Sequence, residues 1–321
     1  MLAIQAARTG GPEVLEAVER SVPTPGPGQI LVRHQAVGLN FIDTYQRSGL
    51  YPMKTPVVLG LEAAGVVEEV GEDVTRFKLG DRVAYNGTLG AYAEAAVVPA
   101  DRAVKVPDAV SLETAAAVLL KGMTAEFLVQ RCHRVEPDQT VLIHAAAGGV
   151  GSILVQWAKA LGATVIATVG SEAKAALARD HGADHVILYG EEDVAARVSE
   201  ITGGQGVAVV YDGVGKDTFE ASLKSLARRG MLVTFGNASG PVPPFAPLEL
   251  GSKSLFLTRP KLFDYIATTE ELDESAAALF AVLESGAVKI EVGQTFPLSE
   301  ARAAHEALEG RRTTGATLLI P

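Results

Sequence analysis

The stretch DQTVLIHAAAGGVGSILVQWAK (138–159) decides the fold. Its first part, TVLIHA (140–145), is short, apolar and β-branched, whereas SILVQWAKALG repeats its apolar positions at three and four, as a helix does. Between them lies HAAAGGVG (144–151). A glycine-rich loop that directly follows a strand and directly opens a helix is the context in which such a loop means dinucleotide binding. Gly148 lets the backbone approach a pyrophosphate, and Gly151 lets the helix pack closely on the strand. The helix N-terminus offers N–H groups and a positive dipole end to the anion. Ala146 stands where the first glycine of the usual fingerprint would be, so position carries more weight than the letters. Val141 to Ala158 is about long enough to span a bilayer. His144, Gln156 and the glycines favour a buried strand, turn and helix instead.

Outward from this stretch, the chain from Thr140 to about Thr258 alternates short β-branched runs with helix-period segments, the pattern of βαβ units and a parallel sheet. The strands are TVLIHA, TVIATV (164–169), HVIL (185–188), VAVVYD (207–212), MLVTFG (231–236) and SLFLT (254–258). SILVQWAKALG, SEAKAALARDHG, EEDVAARVSEITG and KDTFEASLKSLARRG read as the helices between them. A tight βα turn in some other α/β protein is the alternative for the loop alone, and this alternation weighs against it. The segment predicts an α/β, doubly wound Rossmann domain.

The first ~118 residues carry alternating or short apolar runs, QILVRHQAVGL, AAGVVEEVG and DRVAY, punctuated by Pro-Gly and Gly-Asp turn pairs. They predict a mainly β domain. After the sheet segment come a helix of about 270–285, a strand near 288–296, a helix near 299–309 and a final strand, ATLLI. This C-terminal segment is expected to pack back on the N-terminal domain.

Composition bounds the function. A chain of 321 residues has room for two domains, each able to bury a core without disulfides or metal. With 28 Lys+Arg against 38 Asp+Glu, the net charge of −10 argues against nucleic acid or an anionic membrane as a partner met by bulk charge. Cys132, the single cysteine, can make neither an internal disulfide nor a multi-thiolate metal site, which points to a reducing cytoplasm. The N-terminal MLAIQAARTGGPEVLEAVE lacks the basic start and apolar run of a signal peptide and reads as part of the fold.

An acidic residue that holds the ribose hydroxyls is expected ~20 residues past the loop, at the end of the second strand. TVGSEAK stands there instead. A carboxylate would repel a 2′-phosphate, whereas Gly170, Ser171 and the Lys174 ammonium would accept one. NADPH is therefore favoured over NADH. Glu172 is the objection, although a first-turn acidic residue also suits the helix dipole. The bland alternative for Lys174 is a solvated helix residue.

Taken together, these residues resemble the zinc-independent quinone oxidoreductases of the medium-chain dehydrogenase/reductase superfamily, zeta-crystallin-like proteins and bacterial NADPH:quinone reductases among them. The resemblance runs the whole length. Its most specific piece is 138–159, and NFIDTYQRSGLYP (40–52), GLEAAGVVEEVG (60–71), LKGMTA (120–125), VVYDGVG (209–215) and FGNASG (235–240) look like further family blocks. Alcohol-oxidising relatives in the superfamily hold a catalytic zinc and a four-cysteine structural zinc. Here Asn40 and Leu61 stand at two of the catalytic ligand positions, leaving only Glu62, and no metal is expected.

The resemblance implies a GroES-like, mainly β catalytic domain in two pieces, 1–120 and 260–321, with the NADPH-binding domain, 121–259, inserted between them. It places the substrate cleft between domains, at the carboxyl ends of the parallel strands. The pyrophosphate would meet Gly148, Gly149 and Val150. The adenosine phosphate would meet Gly170, Ser171, Lys174, Tyr189 and Arg311. Asn40, Tyr45 and Thr124 would border the nicotinamide, and Val214, Phe235, Gly236 and Asn237 would line the cofactor. Asn40, Tyr45 or Tyr51 would donate a hydrogen bond to the negative oxygen that develops on the quinone. No strong acid is demanded, which suits a site region without histidine or metal.

Two rival readings share these residues. One is NADPH-dependent reduction of an enone or alkenal double bond; the other is a non-catalytic NADPH-binding or sensor protein. The family resemblance also implies a homodimer through the edge of the nucleotide sheet, with SLFLT as the edge strand.

Overall fold

The computed structural model describes residues 1–321. It divides into two compact units. Unit 1 comprises Met1–Met123, Ile266–Glu284 and Ile290–Pro321, and unit 2 comprises Thr124–Tyr265 and Ser285–Lys289.

Unit 1 begins with β1 (Leu2–Ala6), β2 (Leu15–Glu19) and β3 (Gln29–Leu39), followed by α1 (Phe41–Ser48) and β4 (Val57–Val58). It continues with β5 (Glu62–Val70), β6 (Arg82–Asn86), β7 (Ala95–Pro99) and β8 (Ala103–Lys105), and α2 (Leu112–Phe127) carries the chain to the cut between the units. The 11-residue β3 matches QILVRHQAVGL end to end and is the axis of the unit. It pairs antiparallel with β5 along most of its length and with β7 through residues 29–33.

Unit 2 holds β9 (Thr140–Ile143), α3 (Gly149–Ala160), β10 (Thr164–Val169), α4 (Glu172–Asp180), β11 (His185–Leu188) and α5 (Val194–Ile201). After these come β12 (Val207–Asp212), α6 (Phe219–Ser225), β13 (Leu226–Thr234), β14 (Phe256–Thr258) and α7 (Leu262–Tyr265). The six strands are parallel, in the order β11-β10-β9-β12-β13-β14. Numbered within the unit, that is 3-2-1-4-5-6, the doubly wound order of dinucleotide-binding folds. Leu142, Ile166, Ile187, Val210 and Leu232 build its buried core. Burial on both faces explains why these strands read as continuous apolar runs.

The chain then returns to unit 1 with α8 (Thr269–Glu284), β15 (Val292–Pro297), α9 (Ala301–Glu309) and β16 (Ala316–Ile320). ATLLI, as β16, pairs with the second half of β3 through Thr317↔Leu39, Leu318↔Gly38 and Leu319↔Val37. The last strand of the chain thus lies inside the main sheet of unit 1, in the order β15-β16-β3-β5-β6-β8.

One segment departs from its sequence pattern. KDTFEASLKSLARRG reads as one helix, but α6 stops at Ser225 and LARRG already belongs to β13. Leu226 is fully buried and pairs with Val207, while Arg228 and Arg229 face solvent beside a register shift. Arg229 takes φ 63°, a bulge-like kink that a helical pattern of Leu and Arg does not announce. No helix is long and apolar enough to cross a membrane.

Leu142 lies at the centre of β9 with no exposure. Leu142→Ala should cost about 3 kcal/mol and lower the melting temperature on the order of 10 °C, read by scanning calorimetry. A shift within a degree or two would mean that β9 is not the core strand.

Candidate functional site

In unit 2 the site starts where β9 ends. His144 leaves the strand, Ala145 turns the chain with φ 53°, and Gly148 precedes the first residue of α3. Positive φ therefore falls on Ala145, while Ala146 keeps negative φ and is bonded to the neighbouring strand through Thr168 O at 3.1 Å. This explains why the fingerprint tolerates alanine at 146. Gly151 is required for a different reason: a Cβ there would lie 2.2 Å from Ala145 O. The first-turn N–H groups of Gly149, Val150 and Gly151 have no acceptor within the helix, and Gly148 to Val150 are partly open to solvent. Together they form an anion cradle.

At the ends of β10 and β11, Gly170, Ser171, Lys174 and Tyr189 come together. A Cβ on Gly170 would meet the Tyr189 hydroxyl at 2.4 Å, so glycine is needed for the tyrosine to lie over the strand end. Tyr189 is 43% exposed. Ser171 caps α4, its hydroxyl accepting from Lys174 N at 3.4 Å. Glu172 pairs with Arg179, its Oε1 2.9 Å from Nη1. Arg311 belongs to unit 1, exposed in the turn after α9 with φ 57°.

The carboxyl ends of β9 and β12 form the switch point of the sheet. Asp212, fully buried, accepts from Val214 N (2.8 Å), Gly215 N (3.0 Å), the Thr218 hydroxyl (2.7 Å) and the Ser222 hydroxyl (2.9 Å). Because Ser222 donates to Asp212, His144 Nε2 donates to Ser222 at 3.0 Å and Nδ1 accepts from Thr168 at 2.8 Å. Burial lowers the His144 pKa, against the raising effect of the Asp212 charge, and so favours this neutral form. The cluster fixes the 213–215 turn, and with it Val214. Phe235 lies against Gly213, and Gly236 packs at the same turn. Asn237 closes a tight turn, its carbonyl accepting from Gly240 N at 2.9 Å. It also lines a pocket of about 460 Å³ with Thr234, Arg259, Phe219, Val242, Pro243, Pro244, Phe245 and Leu257. Thr124, at the start of the unit, is buried in α2.

In unit 1, Asn40 precedes α1 and is buried, with Nδ2 donating to Glu62 Oε2 at 2.8 Å and to Gly38 O at 3.4 Å. Both amide hydrogens are therefore committed within the protein. With its amide hydrogens so engaged, the remaining polar atom of the Asn40 side chain is Oδ1, an acceptor. Tyr45 is buried on α1, with its ring edge-on to Tyr51 at 5.4 Å and Tyr51 N donating to Tyr45 O at 3.0 Å. The two tyrosines form one aromatic corner.

Glu62, fully buried, is the hub of this region. Its Oε1 accepts from Leu120 N at 2.6 Å, and its Oε2 from Asn40 and from Lys121 Nζ at 3.1 Å. The residues do not fit a zinc ion. Leu61 offers an alkyl group, Asn40 points its amide hydrogens at Glu62, and the buried Lys121 ammonium would repel a second cation. Among the side chains, no group of three or more His, Cys, Asp or Glu could hold a metal.

The structure also reveals polar residues that motif reading passed over. Asp43, Tyr92, His305 and Arg47 form a buried chain in unit 1. Asp43 carried a signal, an acidic residue three after the asparagine that opens a helix. His305 gave none, since a lone histidine among alanines reads as any helix residue.

A GroES-like β unit and a doubly wound unit with a glycine loop at its switch point define a medium-chain dehydrogenase/reductase. Family models agree: the alcohol dehydrogenase GroES-like domain matches residues 26–108, and the zinc-binding dehydrogenase model matches 149–281. The quinone oxidoreductase of Pseudomonas aeruginosa is 53% identical over 321 residues, 99% of each chain. The 2-haloacrylate reductase of a Burkholderia species is 47% identical over 323 residues, 98% of this chain and 97% of the other. The crystal structure of Escherichia coli quinone oxidoreductase complexed with NADPH matches with a TM-score of 0.98 and 50% identity, covering all of both chains. The chain belongs to the quinone oxidoreductase family.

Removing one partner of a buried ion pair leaves an uncompensated charge, typically costing about 3–5 kcal/mol. Glu62→Ala should therefore cost stability on that order, and adding Lys121→Met should recover part of it. Chemical denaturation of the two variants checks this; a double variant no more stable than the single one contradicts the pairing.

Proposed function

We propose that this protein is an NADPH-dependent quinone oxidoreductase that works without zinc. The observation that carries the reading is the pair of anion sites in unit 2, the open N–H groups after β9 and the carboxylate-free cluster of Gly170, Ser171, Lys174 and Tyr189. They occur in a chain that is alike from end to end to quinone oxidoreductases.

NADPH, when bound, supplies the hydride. Gly148, Gly149 and Val150 hold its pyrophosphate by backbone N–H groups. Lys174 and Ser171 meet the 2′-phosphate, and Tyr189 covers the adenosine. Val214, Phe235, Gly236 and Asn237 border the nicotinamide half, on the turns that Asp212 holds. In unit 1, Tyr45 and Tyr51 donate hydrogen bonds to the oxygen that becomes negative on the quinone, while Asn40 takes an acceptor's part. A quinone reduced by a hydride becomes the hydroquinone monoanion, a phenolate stabilised by its own aromatic ring. Orientation and hydrogen bonding therefore suffice, and water supplies the proton.

The 2-haloacrylate reductase relative favours a second reading, reduction of a carbon–carbon double bond activated by an electron-withdrawing group. Its enolate needs the same oxygen stabilisation. Kinetics with naphthoquinones, benzoquinones and enones under one condition separate the two. We expect brisk quinone turnover; negligible quinone and rapid enone turnover would transfer the assignment to the second reading.

The proposal includes a cytoplasmic homodimer. The lone cysteine fits a reducing compartment. β14 is the outermost strand of its sheet, and Phe256 and Leu248 are 57% and 88% exposed on that side of the chain. Such an apolar open edge is normally covered. Phe256→Glu should convert a dimer to monomer in sedimentation, and an unchanged mass would place the interface elsewhere.

Lys174→Ala tests the phosphate site. Losing one charged hydrogen bond should weaken NADPH by roughly ten- to a hundredfold, while NADH changes by no more than about twofold. Equal losses for both nucleotides would remove Lys174 from the site.

A further inference from the structure

We infer that Arg47, His305, Tyr92 and Asp43 form a one-way hydrogen-bond chain that positions the start of α1, and with it Asn40 and Tyr45, for the reaction. The inference rests on the reading of α1 as part of the reductase site. All four side chains are buried, lie in unit 1 and are absent from the roles assigned above.

The direction of the chain follows from its first member. Arg47 Nη1 lies 3.0 Å from His305 Nδ1, and a guanidinium only donates. Nδ1 must therefore present its lone pair, which leaves the imidazole proton on Nε2. Nε2 is 2.9 Å from the Tyr92 oxygen and donates to it. The phenol proton is then turned to Asp43 Oδ2, 3.0 Å away. That oxygen also accepts from Asn40 N at 2.9 Å, tying down the first turn of α1. The outer end is anchored as well: Glu309 takes two hydrogen bonds from Arg47 at 2.9 and 2.7 Å, and Gly10 O takes a third at 3.1 Å.

This arrangement accepts Asp43 only as a carboxylate. Its Oδ1 is buried and meets no hydrogen-bond partner, so a proton placed there finds no acceptor. A proton on Oδ2 would turn the Tyr92 hydroxyl toward His305, forcing the imidazole proton onto Nδ1 against Arg47. The titratable and charged groups facing Asp43 and its hydrogen-bond chain are Arg47 on α1, Glu62 on β5, Lys121 on α2, and His305 and Glu309 of α9. Burial pushes Asp43 up to about 7, against the lowering effects of Asn40 N–H, the Tyr92 hydroxyl and Lys121, with the Glu62 charge adding to the rise. Burial and the Arg47 charge hold His305 down at about 3, so it stays neutral.

The sign follows. A function that needs the carboxylate is held above the Asp43 pKa and lost as pH falls through it. Tyr92→Phe removes a donor to the charged form, so the Asp43 pKa rises and the acid limb of kcat for NADPH oxidation by a quinone should move up by about one pH unit. At pH 8.5 kcat should stay within about twofold. His305→Leu should move the limb in the same direction, whereas His305→Gln, whose amide can still donate to Tyr92, should restore it. Nitrogen NMR of the NADPH-saturated protein at pH 8.5, above the Asp43 pKa, should show a neutral His305 with its proton on Nε2.

An acid limb that stays in place in Tyr92→Phe, or a His305 proton on Nδ1 at pH 8.5, overturns the inference. If no quinone is reduced at all, the functional reading fails, and the tautomer measurement, which needs no turnover, still decides the chain.

Discussion

The doubly wound unit depends on one constraint: β9 and β12 are neighbours, yet the chain leaves them in opposite directions, toward β10 on one side and β13 on the other. At their carboxyl ends no helix can cross over both strands, and a crevice must open there. The crevice exposes backbone that needs partners. The chain supplies them from Asp212 and the His144 cluster on the inside, while the N–H groups of Gly149 and Val150, in the first turn of α3, have no acceptor within the helix. Gly151 lets both happen in so short a loop, because only a residue without Cβ can stand against Ala145 O.

A second constraint governs the β unit, where a carboxylate is fully buried. It is Glu62, and a lone buried carboxylate is costly unless it is paired and hydrogen-bonded. Lys121, Asn40 and the Leu120 backbone satisfy it. The same arrangement uses up the donors of Asn40. The positive charge and the orientation of this region thus come from side chains, Lys121 and Asn40, held on Glu62.

Much of this was legible in the sequence. TVIATV, HVIL, VAVVYD, QILVRHQAVGL and ATLLI match their strands residue for residue, because burial on one or both faces writes a continuous or alternating apolar code. The glycine loop was legible for the same reason, since it sits at a change of period. LARRG was misread because Arg228 and Arg229 at a bulge carry no period at all. The polar chains were invisible, because a hydrogen-bond network joins residues as far apart as Arg47 and His305, and no local spacing records such a pairing.

The same networks bear on why the reaction needs so little from the protein. Buried histidines and carboxylates usually suggest proton transfer. Here His144 and His305 are both neutral donors from Nε2, each set by a partner that permits only one direction. A relay must reverse after each turnover, and the chain through His305 ends at an arginine that cannot give up its proton. These groups therefore fix geometry and do not move protons. That division suits hydride transfer to a quinone, whose product anion is stabilised by its own aromatic ring. What the chain must provide is a rigid approach of donor to acceptor, and buried one-way hydrogen bonds are a means of holding it.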